Sequence, residues 1–170
     1  MIRLKKIIIG LFIFTCFISL SKKEEGLIIP DTSIRFRVIA NSNTTKDQTE
    51  KLMIKDKIEK EVYGLIEGAN NTDEVRSLIK NNMDTINEIV SSYKVPYKIN
   101  YGDNYFPTKN YKGVLYKAGN YESLVITLGE GMGDNFWCVL FPPLCLLDNE
   151  QNDVSDIEYQ FYVKKLFKQF

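Results

Sequence analysis

The residues best suited to chemistry crowd into one stretch, NFWCVLFPPLC, residues 135–145. It holds the single tryptophan, Trp137, two of the three cysteines, Cys138 and Cys145, and the adjacent Pro142 and Pro143. Three kinds of chemistry use such residues: a metal or redox site, a thiolate nucleophile, and a rigid surface for another protein. The chain contains no histidine. That removes the commonest metal ligand, the commonest general base and the usual partner of a Ser or Cys nucleophile. A zinc site needs four ligands, and just two soft ones stand here. A reactive thiolate needs a depressed pKa, yet Cys138 lies in an apolar run that would raise it. Six residues separate the two cysteines. In an extended chain their Cα atoms would lie about 23 Å apart, beyond bridging distance. The prolines must therefore turn the chain if the cysteines are joined. Closing that ring would contribute about 2.5 kcal/mol in the chain-entropy model. A stapled loop carrying Trp137, Phe141, Pro142 and Pro143 would present apolar area with little entropy left to lose on docking. The alternative is a core segment with buried free thiols, and aromatic residues serve both purposes.

Gly129, Gly131 and Gly133 alternate within GEGMGDN, a spacing similar to that of phosphate-binding loops. Such a loop must run from strand into helix, so that the helix N-terminus faces the phosphates. Here strand-like runs stand on both sides. The segment reads instead as a hairpin connection with positive φ at its glycines. Asp103, Asp134, Asp148, Asp153 and Asp156 fall in loop-like segments, and DNEQND lacks the central glycine of a calcium loop. No catalytic set, metal site or cofactor site is predicted.

These residues need a scaffold. Ile34, Phe36 and Val38 alternate with Arg35 and Arg37, the pattern of a half-buried strand. ANSN, with Asn41 and Asn43, reads as a tight turn. Thr45 and Gln48 predict a capping box that opens a helix. Ile54, Ile58, Val62, Leu65 and Ile66 give it one apolar face, and Gly68 stops it. Lys51, Lys55, Asp56, Lys57, Glu59, Lys60 and Glu61 read as its solvated face. Asn71 and Glu74 open a second helix that carries Val75, Ile79, Ile86 and Val90 to about Ser92, before Pro96. YKINY predicts a strand at 97–101, and residues 102–121 read as a loop. ESLVITL and FWCVLF are apolar strands, the latter ended by Pro142. The tail is predicted helical from a box at Ser155 and Glu158, with Ile157, Phe161 and Leu166 inward. The order predicts an α+β fold with helices on one face of a mainly antiparallel sheet.

The N-terminus reads as a targeting segment. Arg3, Lys5 and Lys6 precede the apolar run at 7–20. That run is shorter than the roughly 20 residues needed to span a bilayer. Residues 1–21 are thus predicted to be a signal peptide cut after Ser21, or else an uncut anchor. Cys16 lacks the small residue expected just before a lipid-bearing cysteine. Residues 22–32 read as a linker, and 33–170 as one domain. Acidic and basic residues balance at 22 each in a chain of 170 residues, which argues against nucleic acid as a partner. Without residues 1–21 the net charge is −3. Export favours a bridge between Cys138 and Cys145.

IRFRVIANSNTTKDQTEKLMIKDKI, FPTKNY and AGNYESLVITLGEGMGDNFWCVLFPPLC together resemble the stage II sporulation protein R family, from about Ile34 to Cys145. Phe136 stands where a second Trp is common, and Lys117 where a Pro often precedes AG. The resemblance implies a signal and not an enzyme. Such proteins are made in the forespore and exported into the space between forespore and mother-cell membranes. There they activate a membrane-embedded aspartic protease of the mother cell, which processes pro-sigma-E. On this expectation Trp137, Phe141, Pro142, Pro143, Arg35 and Arg37 contact the extracytoplasmic part of that protease, and the membrane is met through the N-terminal segment alone. Cys138 and Cys145 hold the shape of the loop, while Asn41, Asn43, Gly129, Gly131 and Gly133 shape turns. An exported cell-wall hydrolase or a structural envelope protein is the alternative.

Overall fold

The computed structural model describes residues 27–111, 114–145, 163, 165 and 166. The expectations for residues 1–26, including Cys16 and the cleavage point, lie outside them. So do those for Asp148, Asp153, Asp156, Ser155, Glu158, Ile157 and Phe161. The elements are β1 (Leu27–Ile28), β2 (Ile34–Ile39), α1 (Thr45–Ile66), α2 (Thr72–Asn81), α3 (Met83–Ser91), β3 (Tyr97–Phe106), β4 (Lys109–Tyr111), β5 (Val114–Tyr116), β6 (Gly119–Leu128) and β7 (Asn135–Phe141). The fold is α+β. A four-stranded sheet has the order β3-β6-β2-β7, and a three-stranded sheet the order β1-β5-β4. In the larger sheet β2 runs parallel to β6, and the other pairs are antiparallel.

Alternation along β2 divides the molecule. Phe36 and Val38 point to one face and bury with Ile54, Ile58, Val62, Ile79 and Val90 of the helices. Leu124 and Ile126 of β6 and Cys138 and Leu140 of β7 join the same core. On the opposite face Ile39 and Trp137 pack with Phe106, Tyr121 and Val125. Val139 packs there with Ile29 of the β1 segment, Val114 of β5 and Leu144. The helices therefore cover one face of the main sheet, and the small sheet lies against part of the other.

Several segments differ from the sequence expectation. Part of the presumed linker, Leu27–Ile28, is β1 and pairs in parallel with β5. The presumed loop at 102–121 contains the second half of β3, all of β4 and β5, and the start of β6. Its Gly and Asn residues mask short strands whose ladders supply the order. The long second helix is two helices. Asn82 breaks it, with Nδ2 donating to the Leu78 carbonyl at 2.8 Å, the local competition that disfavours Asn within helices. The α1 cap is Thr44, one residue earlier than expected, with its hydroxyl accepting from the Asp47 N–H at 3.3 Å. The Asn71–Glu74 box forms as expected, with Asn71 Oδ1 accepting from Glu74 N–H at 3.0 Å. Gly68, at φ 84°, follows the end of α1.

The solvated face assigned to α1 is corrected most. Lys51, Lys55 and Glu59 recur every four residues, on one stripe of the helix, and all are buried. Lys55 Nζ lies 2.9 Å from Glu59 and 2.8 Å from the exposed Asp56. It also sits 4.8 Å from the Phe136 ring centroid. Burial lowers the Lys55 pKa, but hydrogen bonds to Asp56 and Glu59 outweigh that and hold it above the ordinary value. Lys51 Nζ donates to the Asp134 carbonyl at 3.1 Å. The ion pairs lie within α1, while the Lys51 hydrogen bond to the residue before β7 and the Lys55 contact with the Phe136 ring join the helix to that strand, where apolar periodicity alone suggested water. Removing one partner of a buried pair is expected to be costly. Glu59→Leu should lower stability by about 3 kcal/mol in urea unfolding, and Lys55→Met in the same chain should restore most of the loss. An unchanged midpoint for Glu59→Leu would show that the pair carries no structural weight.

A second ionic contact fastens α2 to the sheet. Arg76 Nε donates to Glu122 Oε1 at 2.7 Å, and Tyr101 Oη to the same oxygen at 2.9 Å. Burial raises the Glu122 pKa, and the Arg76 and Tyr101 hydrogen bonds overcome it, leaving it below the ordinary value. A depressed carboxyl contributes stability above its unfolded pKa and loses it as pH falls through the folded value. The stability gap between the parent chain and Glu122→Gln is therefore expected to be widest near pH 7. It should close as pH falls below the ordinary glutamate pKa of about 4.3. Urea titrations at several pH values measure it.

Candidate functional site

The chemistry-bearing residues meet at one edge and one face of the main sheet. The two long loops at the C-terminal end of β2 form the edge. Because β2 lies between β6 and β7, the glycine-rich connection is no hairpin. It must cross the end of β2. Gly133 N–H donates to Ala40 O at 2.9 Å and Met132 N–H to Asn41 O at 3.0 Å. Asn41 Oδ1 accepts from Glu130 N–H at 3.0 Å, and Asn43 Oδ1 from Asp134 N–H at 2.6 Å. Asn41 and Asn43 thus lace one loop to the other. Asn41 and Ser42 also donate to Asp47, whose pKa those bonds hold below the ordinary value.

Gly129 and Gly131 take positive φ, 53° and 65°. Gly133 does not, and its requirement is space: a Cβ there would lie 2.4 Å from the Ser42 carbonyl oxygen. Four of the loop's amides serve the turn after β2, and those of Gly129 and Gly131 go to the Pro96 and Leu128 carbonyls, an arrangement unlike a phosphate cradle.

At the far end of β7 the chain turns through Pro142 and Pro143, after a cis bond between Phe141 and Pro142. The turn brings the Cys138 and Cys145 Cα atoms to 5.5 Å, and the sulfurs are bonded. Leu144 N–H donates to the Val139 carbonyl at 3.2 Å across the turn. Glu59 lies close by, with a carboxylate oxygen and both sulfurs within 4.8 Å of one another. While the bridge is closed neither sulfur is a thiolate, the form that ligates metal or attacks carbon.

Burial sorts the expected contact residues. Cys138, Cys145, Phe141 and Pro142 are buried, so the stapled turn is largely core; Phe141 and Pro142 shape it from within and offer no surface. The cause is the helix face of β7, against which α1 packs. Pro143 and Trp137 are half-buried. Trp137 lies on the opposite face and packs edge-on against Phe106 at 5.5 Å. Arg37, opposite it on β2, has its guanidinium 5.3 Å from the Trp137 ring centroid. Lys109 Nζ sits 5.3 Å from the same ring. Burial lowers the Arg37 pKa. Arg35 is just 2% exposed, with its guanidinium 3.2 Å from the Tyr121 ring centroid. The sequence expectation missed Lys109, Phe106 and Tyr121, because residues 102–121 read as loop. The signal was the aromatic and cationic content of that segment.

The stage II sporulation protein R family matches over residues 30–151. The chain belongs to that family. A relative from Bacillus subtilis (strain 168), the stage II sporulation protein R of that organism, is 35% identical over 161 residues, covering 85% of this chain and 72% of the relative. No solved structure matches. The matched family region takes in both interlaced loops, the cation–aromatic face and the stapled turn. Replacing both bridge cysteines, Cys138→Ser with Cys145→Ser, is expected to destabilise this family member by about 2.5 kcal/mol. Urea unfolding of the oxidised parent against the double variant reads this directly. Equal midpoints would show that the bridge does not stabilise the fold.

Proposed function

We propose that this sporulation protein is a signal exported from the forespore that activates the membrane-embedded aspartic protease of the mother cell, which processes pro-sigma-E. The observation that carries the reading is the closed Cys138–Cys145 bridge. Structural disulfides persist outside the reducing cytoplasm, which agrees with the basic and apolar N-terminus read as an export segment. Family membership supplies the sporulation context. The protein acts by binding and not by turnover. It shifts the protease toward its active state, which requires tighter binding to that state than to the inactive one.

The contact surface in this reading is the cation–aromatic face, half-buried Trp137 and Arg37 with the exposed Lys109, whereas Pro143 sits against the C-terminal end of α1. Trp and Arg are the residues that most often dominate binding energy, where they are packed and partly desolvated. Trp137 is held by Phe106 on one side and by two cations, so it loses little freedom on docking. Cys138, Cys145, Phe141 and Pro142 keep the end of β7 in place beneath.

Reconstitution of protease, pro-factor and this protein in one host tests the reading. Processing should require all three. Trp137→Ala should reduce it by about 30-fold at equal protein level, the effect of a hot-spot contact. Processing without this protein would overturn the reading. So would cleavage of the pro-factor or of peptidoglycan by the purified protein alone.

A further inference from the structure

A cavity of about 260 Å³ opens between the main sheet and the β4–β5 ribbon. Arg35, Lys109, Tyr111, Tyr116, Phe106 and Trp137 line it. Arg35 is the unusual member. It is almost wholly buried, and its Nε and Nη2 have no hydrogen-bond partner among the described residues. Aromatic faces surround the guanidinium: Tyr121 at 3.2 Å, Phe106 at 5.5 Å and Tyr116 at 6.0 Å to the ring centroids. These rings stabilise a cation through their π-faces. Their π-faces accept nothing from the in-plane N–H groups, and the hydrogen bond of Arg35 to Tyr121 leaves Nε and Nη2 without a partner. Buried charged donors left unmade are costly, so this edge calls for an acceptor.

We propose that the cavity is a binding site for a carboxylate with a flat apolar body, held by Arg35 through Nε–H and Nη2–H. Those two atoms form one edge of the guanidinium, with parallel N–H bonds spaced to meet both oxygens of a carboxylate. The charges around the cavity fit an anion. Lys109 lines it, and Arg37 stands beside it, 5.9 Å from the Phe106 centroid. No carboxylate stands among the described lining residues, though the field of Asp31 reaches Arg35. The walls fit the apolar body: five aromatic residues, Phe136 among them, line a space smaller than the roughly 300 Å³ at which drug-sized pockets begin. The volume therefore suits one side-chain-sized group. Its source is either a free small acid or the end of a peptide chain. The site shares Trp137 and Lys109 with the proposed protease contact, but its test uses the chain alone, so its outcome and that of the protease reading are distinguishable.

The chain reports its own occupancy, because its single tryptophan lines the cavity. Full-length protein is titrated with 3-phenylpropanoate, and Trp137 fluorescence is followed. A saturable change is expected. The uncharged 3-phenylpropanamide should bind about 10- to 100-fold more weakly, the loss expected when a charged hydrogen-bonded pair becomes neutral. Arg35→Gln should weaken the acid by a similar factor, with its folding checked by circular dichroism. The amide comparison on the parent chain stands even if that variant fails to fold. A peptide ending in a free phenylalanine carboxylate and its C-terminal amide form the second arm. Binding of the free peptide as well as the acid assigns the source to a chain end. Binding of the acid alone assigns it to a small molecule. No saturable response to the acid, equal binding of acid and amide, or competition by inorganic phosphate at equal concentration would overturn the proposal.

Discussion

The position of β2 between β6 and β7 is the constraint from which the rest follows. A strand paired on both sides has no free backbone groups, so its information lies in its two faces. One face carries Phe36 and Val38 into the helical core. The other carries Arg35 and Arg37 toward Trp137, Phe106 and Tyr121. A slip of one residue in register would exchange the faces and bury both arginines beneath the helices. The loops that cross the end of β2 resist such a slip. Asn41 and Asn43 each fix an amide of the opposite loop, and Gly133 admits the Ser42 carbonyl where any side chain would collide. The glycine motif is therefore a device for registering β2, and the cation–aromatic face is its product.

The two ends of β7 are fixed by different means. At its start, Asp134 offers a carbonyl to Lys51 and an amide to Asn43. At its finish, the bridge holds the turn against the body of the strand. Between them Lys55 and Glu59 form an ion pair under the strand. Buried ion pairs seldom add net stability over a well-packed apolar replacement. The pair holds the Lys55 ammonium over the Phe136 ring of β7, and that contact together with the Lys51 bond to Asp134 fixes how α1 sits on β7. Trp137 on the other face is thereby displayed in a defined place, and a binding surface needs that more than it needs extra stability.

Much of this was legible from residue types and spacing. Alternation in β2 placed its arginines on one face, Asn71 with Glu74 marked the start of α2, and Gly68 followed the end of α1. The cysteine spacing with two prolines between pointed to the turn that a bridge requires. What sequence concealed was non-local. Glycine-rich connections between strands usually join neighbours, because sequential strands are commonly adjacent. Nothing in GEGMGDN announces that β2 has been inserted between. Residues 102–121 hid two whole strands and parts of two more because turn-forming residues sit inside short ladders. Lys51, Lys55 and Glu59 looked solvated because charge ordinarily seeks water. The available signal was opposite charges four apart beside the apolar stripe of Ile54 and Ile58. The exposure of the stapled turn could not be read either, since Phe141 and Pro142 suit a core as well as an interface.

The central claim is that this chain works through the Trp137 face of its sheet and not through its helices. Site-specific photocrosslinking in sporulating cells tests it most directly, with a photoreactive phenylalanine analogue placed at position 137 in one strain and at position 53 in another. Met53 is 54% exposed on α1 and serves as the control surface. The account predicts a covalent adduct with the protease from position 137 and none from position 53. An adduct from position 53 alone would contradict it.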